Sequence, residues 1–170
     1  DAGADVYDIG LSTTPMVYFG TANYGFKASV QITASHNPAK YNGYKAYWND
    51  GCQLVPPHDT NVINEVNKIA SIDDVKWKGN EQNIILWDEL IDRPYIDAIK
   101  SLSINGDIIK KQKDLKIVYT PIHGTGIKLV PRVLQELGFE NVNVVEEQAV
   151  VSGEFPSLRK PGVGEIKEED

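Results

Sequence analysis

Residues 115–147 constrain the fold more than any other stretch of this chain. They read LKIVYTPIHGTG, then IKLVPRVLQELGF, then, after one residue, NVNVVEE. These are a β-branched run, a glycine-bearing turn, a helical pattern stopped by Gly138 and a second β-branched run. Two strands separated by one helix form a βαβ unit, in which the strands pair in parallel and the crossover is right-handed. The chain is therefore expected to be α/β.

The upstream sequence repeats the alternation. ADVYDIGLS has strand composition and runs into Ser12–Thr14, a capping cluster with Pro15 in the first turn of a helix over about 14–25. ASVQITA reads as a buried strand, and YKAYWND as another closing at Asp50-Gly51. Val62, Ile63, Val66 and Ile69 fall at helical spacing. The polar DVKWKGNEQN reads as a connection near a domain boundary, and LWDELIDRPYIDAIKSLSI as a helix that continues on both sides of Pro94. The expected architecture is two mixed α/β lobes, 1–88 and 89–170, with an acidic, glycine-rich tail GVGEIKEED.

Composition excludes several classes. The chain has 170 residues, is 41% hydrophobic and holds no apolar run of the roughly 18–20 residues needed for a membrane span. A net charge of −7 without a basic block argues against a nucleic-acid surface. The single cysteine, Cys52, precludes an internal disulfide and fits a reducing compartment, so a cytoplasmic location is expected. The opening DAGADVYDIG carries no charged-then-apolar leader, and no signal peptide is expected.

The chemistry-bearing stretch is TASHNPAKYNGYKAYW, residues 33–48. Ser35 follows a strand, and Pro38 pushes Asn37 out of helical geometry, so the hydroxyl sits in a shaped turn. Lys40 and Lys45 can supply positive charge to an anion on that hydroxyl, and Gly43 allows close approach to the backbone. Residue types alone leave two readings open: phosphoryl chemistry on Ser35, or an ordinary turn with solvated lysines.

The full string decides between them by likeness. TASHNP, followed after two residues by YNGYK, resembles the phosphoserine loop of the α-D-phosphohexomutases, the family of phosphoglucomutase and phosphomannomutase. VYDIGLSTTPMVYF resembles the strand and helix before that loop, and VYTPIHGTG with VLQELGFENV the second domain. YKAYWNDGCQLVPPHD is more similar to the long phosphoglucomutase branch, which includes phosphopentomutase-like members. The resemblance implies a chain covering most of a first and most of a second domain. It implies that Ser35 carries the phosphate given to a hexose monophosphate, most simply glucose phosphate, through a hexose 1,6-bisphosphate. It implies that His36 lies beside the phosphate and that Lys45 assists proton transfer or balances charge. It also implies Mg2+ bound by Ser35 through its phosphate and by three aspartates of a D-G-D-x-D-R loop. That loop is not in this sequence, nor is the G-E-x-S-G sugar loop. The alternative is a non-catalytic fragment or a phosphosugar-binding module.

Other residues draw plainer expectations. His123 in PIHGTG sits at a strand-to-helix turn whose backbone N–H groups could face an anion, but a structural turn is the simpler reading. Asp50 and Asp59 read as turn and helix-start residues rather than metal ligands, and His58 as a surface or capping residue. Cys52, after a turn, reads as a packing residue or as incidental. A serine hydrolase is disfavoured because no G-x-S-x-G elbow is present and His36 adjoins Ser35 in sequence.

Overall fold

The computed structural model describes residues 3–33, 43–76 and 78–158. In chain order the elements are β1 (Val6–Asp8), α1 (Thr14–Asn23), β2 (Ala28–Thr33), β3 (Gly43–Trp48), α2 (His58–Val66), β4 (Ile84–Leu86), α3 (Asp88–Ser101), α4 (Gly106–Lys111), β5 (Lys116–Tyr119), α5 (Val130–Leu137) and β6 (Asn141–Val144). The mixed α/β class is as expected. The βαβ unit forms as read: β5 and β6 pair in parallel, from Lys116↔Asn141 to Tyr119↔Val144. Gly138 ends α5 with φ 116°, a backbone region in which a side chain would be strained.

Three features were not legible beforehand. The short β4 pairs in parallel with β1, so Val6 meets Ile84 across most of the first half of the chain. The α4 helix lies in a stretch without clear periodicity. The third concerns β2, which is not a buried strand. It pairs antiparallel with β3, and its apolar side chains Val30 and Ile32 are 47% and 72% exposed. Its polar residues Ser29, Gln31 and Thr33 occupy the more buried positions. The alternation was correct; which face is covered was not readable from it.

The core joins α1, α3 and α5. Met16, Ile91, Ile96 and Leu129 are buried, with Ile9, Tyr24, Trp87, Tyr95 and Val133 packed around them. Helices α1 and α3 approach closely at Gly20, where a Cβ would lie 2.7 Å from Ile91 Cδ1. Pro94 stands inside α3, which is helical on both sides of it. The start of α1 departs from expectation in one respect: Thr13 caps it through backbone geometry, with Pro15 in the first turn, and no side-chain capping bond forms.

A charge network fastens α3 to α5. Arg93 grips the Glu136 carboxylate at 2.9 and 2.7 Å, Lys100 adds a contact at 3.1 Å and Arg132 another at 3.2 Å. Arg132 also holds Glu89 with two bonds, at 2.6 and 2.9 Å. The Arg93 hydrogen bonds, followed by that of Lys100, pull Glu136 down to about 2 from its ordinary 4.5. A carboxyl depressed in the folded state stabilises it fully above about pH 4.5, and that contribution is lost as the pH falls through about 2. Acid unfolding of the Glu136→Gln variant should therefore be shallower than wild type across this window, because the variant lacks the contribution throughout. Superimposable acid limbs for the two proteins would count against the network's role.

Candidate functional site

The hairpin of β2 and β3 carries the candidate site. Its ladder closes at Thr33↔Gly43, and residues 34–42, which include Ser35, His36, Asn37 and Lys40, lie outside the described residues. Lys45 is described. It is half-buried on β3, directly across from Gln31 and one register pair in from the Thr33–Gly43 mouth of the hairpin, counting along the same face. Helix α1 packs against both strands. Lys45 is thus delivered by a strand near the Thr33↔Gly43 end of the hairpin, while the site's other candidates lie outside the described residues.

Gly43 is explained by the chain itself. A Cβ built there would stand 2.8 Å from the Thr33 carbonyl oxygen, so the close approach is made by the partner strand's backbone. Neither backbone can yield without opening the last pair of the ladder. Gly43→Ala should cost roughly 1–3 kcal/mol, as overpacking does, and displace the mouth of the hairpin. An unchanged urea unfolding midpoint would refute this.

The second candidate, the PIHGTG turn, is occupied by its own chain. His123 is 2% exposed with φ 58°, and its Nδ1 lies 2.8 Å from the Val150 carbonyl. Its Nε2 lies 2.8 Å from Ser157 Oγ and accepts the Ser157 backbone N–H at 3.2 Å. That donor fixes Nε2 as the acceptor, so Nδ1 carries the proton and donates to Val150. The His123 N–H donates to Gln148 O, the Ser152 N–H to His123 O and the Gly124 N–H to Pro121 O. A 3-10 turn, Thr125–Ile127, which contains Gly126, separates Gly124 from the start of α5 at Val130. Two of the turn's backbone donors hold the segment after β6, Ile122 N–H on Gln148 Oε1 and His123 N–H on Gln148 O, while Gly124 N–H stays within the turn. His123 is structural, in keeping with the plainer expectation. Gly126 lies close under the Tyr119 ring, a Cβ there falling 2.5 Å from Tyr119 Oη.

The remaining candidates resolve simply. Asp50 Oδ1 accepts the Cys52 N–H at 2.8 Å and Asp59 Oδ1 the Thr60 N–H at 2.5 Å, so both carboxylates serve local turns. His58 opens α2 and stacks on Trp48, ring centroids 5.0 Å apart. Cys52 is exposed. Among the described residues, no three His, Cys, Asp or Glu side chains converge as a metal site, and no helix is long and apolar enough to cross a membrane. One residue escaped sequence reasoning: Asp92, 2% exposed on α3, meets Lys128 Nζ at 3.0 Å while its Oδ1 has no partner. An acid in the apolar stripe of DELIDRPYI was its only signal.

Comparison with known proteins agrees with this arrangement. The family model for phosphoglucomutase/phosphomannomutase alpha/beta/alpha domain I matches residues 1–73, and that for domain II matches residues 93–168. A phosphoglucomutase of Staphylococcus haemolyticus is 38% identical over 160 residues, which are 92% of this chain and 28% of that protein. A probable phosphoribomutase of Schizosaccharomyces pombe is 34% identical over 160 residues, 89% of this chain and 26% of its own. A phosphomannomutase of Mycoplasma pneumoniae is 35% identical over 144 residues, 84% of this chain and 26% of its own. The crystal structure of a Thermus thermophilus protein assigned as a phosphomannomutase superposes with a TM-score of 0.71 at 20% identity, over 92% of this chain and 33% of that one. The chain thus spans about a quarter to a third of the length of these proteins. With domain I matched around the Ser35 hairpin and domain II around the βαβ unit, the chain belongs to the phosphoglucomutase/phosphomannomutase family.

Proposed function

We propose that this chain is the phosphoryl-carrying part of a cytoplasmic phosphosugar mutase that interconverts glucose 1-phosphate and glucose 6-phosphate. One observation carries the reading: a family domain-I match whose hairpin brings Lys45 to the mouth from which the Ser35 sequence departs. In this reading residues 1–88 are the larger part of the first lobe and 89–170 of the second.

Ser35 is the carrier. A serine hydroxyl is a weak nucleophile, but its phosphate ester stores the group covalently and divides one difficult transfer into two. In the forward step the bond from phosphorus to Ser35 Oγ breaks, a bond from phosphorus to a sugar hydroxyl oxygen forms, and the hydroxyl proton ends on Ser35 Oγ. The resulting hexose 1,6-bisphosphate turns around and returns its other phosphoryl group to Ser35. His36 contacts the phosphate, and Lys45 offsets charge on the equatorial oxygens or relays the proton. A phosphoserine oxygen is a hard ligand suited to Mg2+, and Ser35 would hold the ion through its phosphate; when bound, the ion would neutralise phosphate charge. The remaining ligands and the sugar contacts belong to the greater part of the relatives' length that this chain does not span, so the 170 residues alone are expected to show no conversion.

Incubating the full-length protein with phosphate-labelled glucose 1,6-bisphosphate tests the reading. Label should appear on the peptide containing Ser35 and chase into glucose monophosphates. Turnover with Ser35 unlabelled would overturn it.

A further inference from the structure

The covered face of the hairpin is polar where a sheet face under a helix is ordinarily apolar. Ser29, Gln31 and Thr33 of β2 share it with Lys45 and Tyr47 of β3, and α1 packs over both strands. Tyr47 is fully buried, and its hydroxyl donates to Gln31 Oε1 at 3.5 Å. The ring of Tyr18, from α1, meets that of Tyr47 edge-on at 5.0 Å. Burial first, and Tyr18 second, push the Tyr47 phenol up to about 12, so it remains a hydrogen-bond donor at any physiological pH. Deeper along the face, Thr21 donates to the Val17 carbonyl and accepts from Ser29. Gln31 is the direct cross-strand partner of Lys45, and Tyr47 stands two residues along the same strand on the same face. No carboxylate among the described residues pairs with Lys45.

A lysine has four rotatable bonds and gives up about 2 kcal/mol of rotamer entropy when held in one conformation. Cross-strand neighbours with Cβ atoms about 4.5–5.5 Å apart can limit that freedom if they are themselves fixed. The geometry points to Tyr47 and Gln31 as positioning residues for Lys45: the buried phenol tethers the Gln31 amide, and ring and amide together hold the lysine stem toward the mouth of the hairpin. This explains a polar side chain, a buried hydroxyl and a cation sharing one covered sheet face. It rests on the role given to Lys45 above.

Tyr47→Phe keeps the ring and removes the tether, and Gln31→Met keeps the stem and removes the acceptor. In the full-length enzyme each should lower kcat about tenfold while KM stays within about twofold, the pattern of a group felt in the transition state. Each should leave the thermal midpoint within a few degrees. Repeated in a Lys45→Met background, with single-turnover transfer from the phosphoenzyme to glucose 1-phosphate as readout, neither change should cause further loss, because both act through Lys45. Unchanged kcat in both variants, or an equal loss with and without Lys45, overturns the positioning role. If Lys45→Met itself leaves kcat unaltered, the function proposed for the hairpin fails first, and this inference with it.

Discussion

Ser35→Ala in the full-length enzyme is expected to remove nearly all mutase turnover and to leave the fold intact. In the proposed mechanism the residue is the covalent carrier and not an auxiliary group, and the loss should therefore be large. Without its hydroxyl no phosphoenzyme forms, and binding alone cannot move a phosphoryl group between two positions of one sugar. Stability should be indifferent, because the described register pairs of the hairpin run from Ala28↔Trp48 to Thr33↔Gly43 and none of them involves Ser35. Loss of all but a trace of kcat, with a thermal midpoint within a few degrees of wild type, is the expected pair of readings. Turnover near the wild-type level would remove Ser35 from the mechanism.

The largest expected effect on stability lies far from the hairpin. Lys128→Met should destabilise the fold by about 3 kcal/mol, at the lower end of the cost of breaking a buried ion pair. Asp92 is 2% exposed, Lys128 is its only partner among the described residues, and Oδ1 is already unsatisfied. Removing the ammonium strands the carboxylate between α3 and the turn that leads into α5. Lys128 is itself 29% exposed, so water relieves part of the cost. Replacing both residues, as Asp92→Leu with Lys128→Met, should recover most of the loss, because two apolar groups of similar size need no partner. Urea unfolding of the single and double variants distinguishes this from a solvated surface pair, for which Lys128→Met would change stability by less than about 0.5 kcal/mol.

Local chemistry was enough for the elements whose signals are self-contained. The βαβ unit, the stop at Gly138, the helix through Pro94 and the Asp50-Gly51 turn all follow from preferences that act within a few residues. The same holds for the candidate chemistry: Ser35, His36 and Lys45 stand out in one unbroken string, and the family comparison falls on the stretch that suggested it. Long-range choices were not available. Alternation in ASVQIT divides apolar from polar side chains but carries no sign, so whether α1 covers Val30 and Ile32 or Ser29 and Gln31 depends on where that helix docks. β4 has only three residues, too few for a period, and exists because β1 lies alongside it. The PIHGTG turn has the residues of an anion site, yet the segment after β6 folds back, takes the Ile122 and His123 N–H groups and binds the His123 ring. Asp92 reads as an ordinary helix acid until Lys128, far along the chain, is brought to 3.0 Å. The sequence by itself determined the elements with self-contained signals and where the candidate reactive groups cluster, because those depend on neighbours along the chain. Which faces are buried, which donors are spent and which charges must be paired was decided by the tertiary structure alone, because burial and pairing depend on groups that only folding brings together.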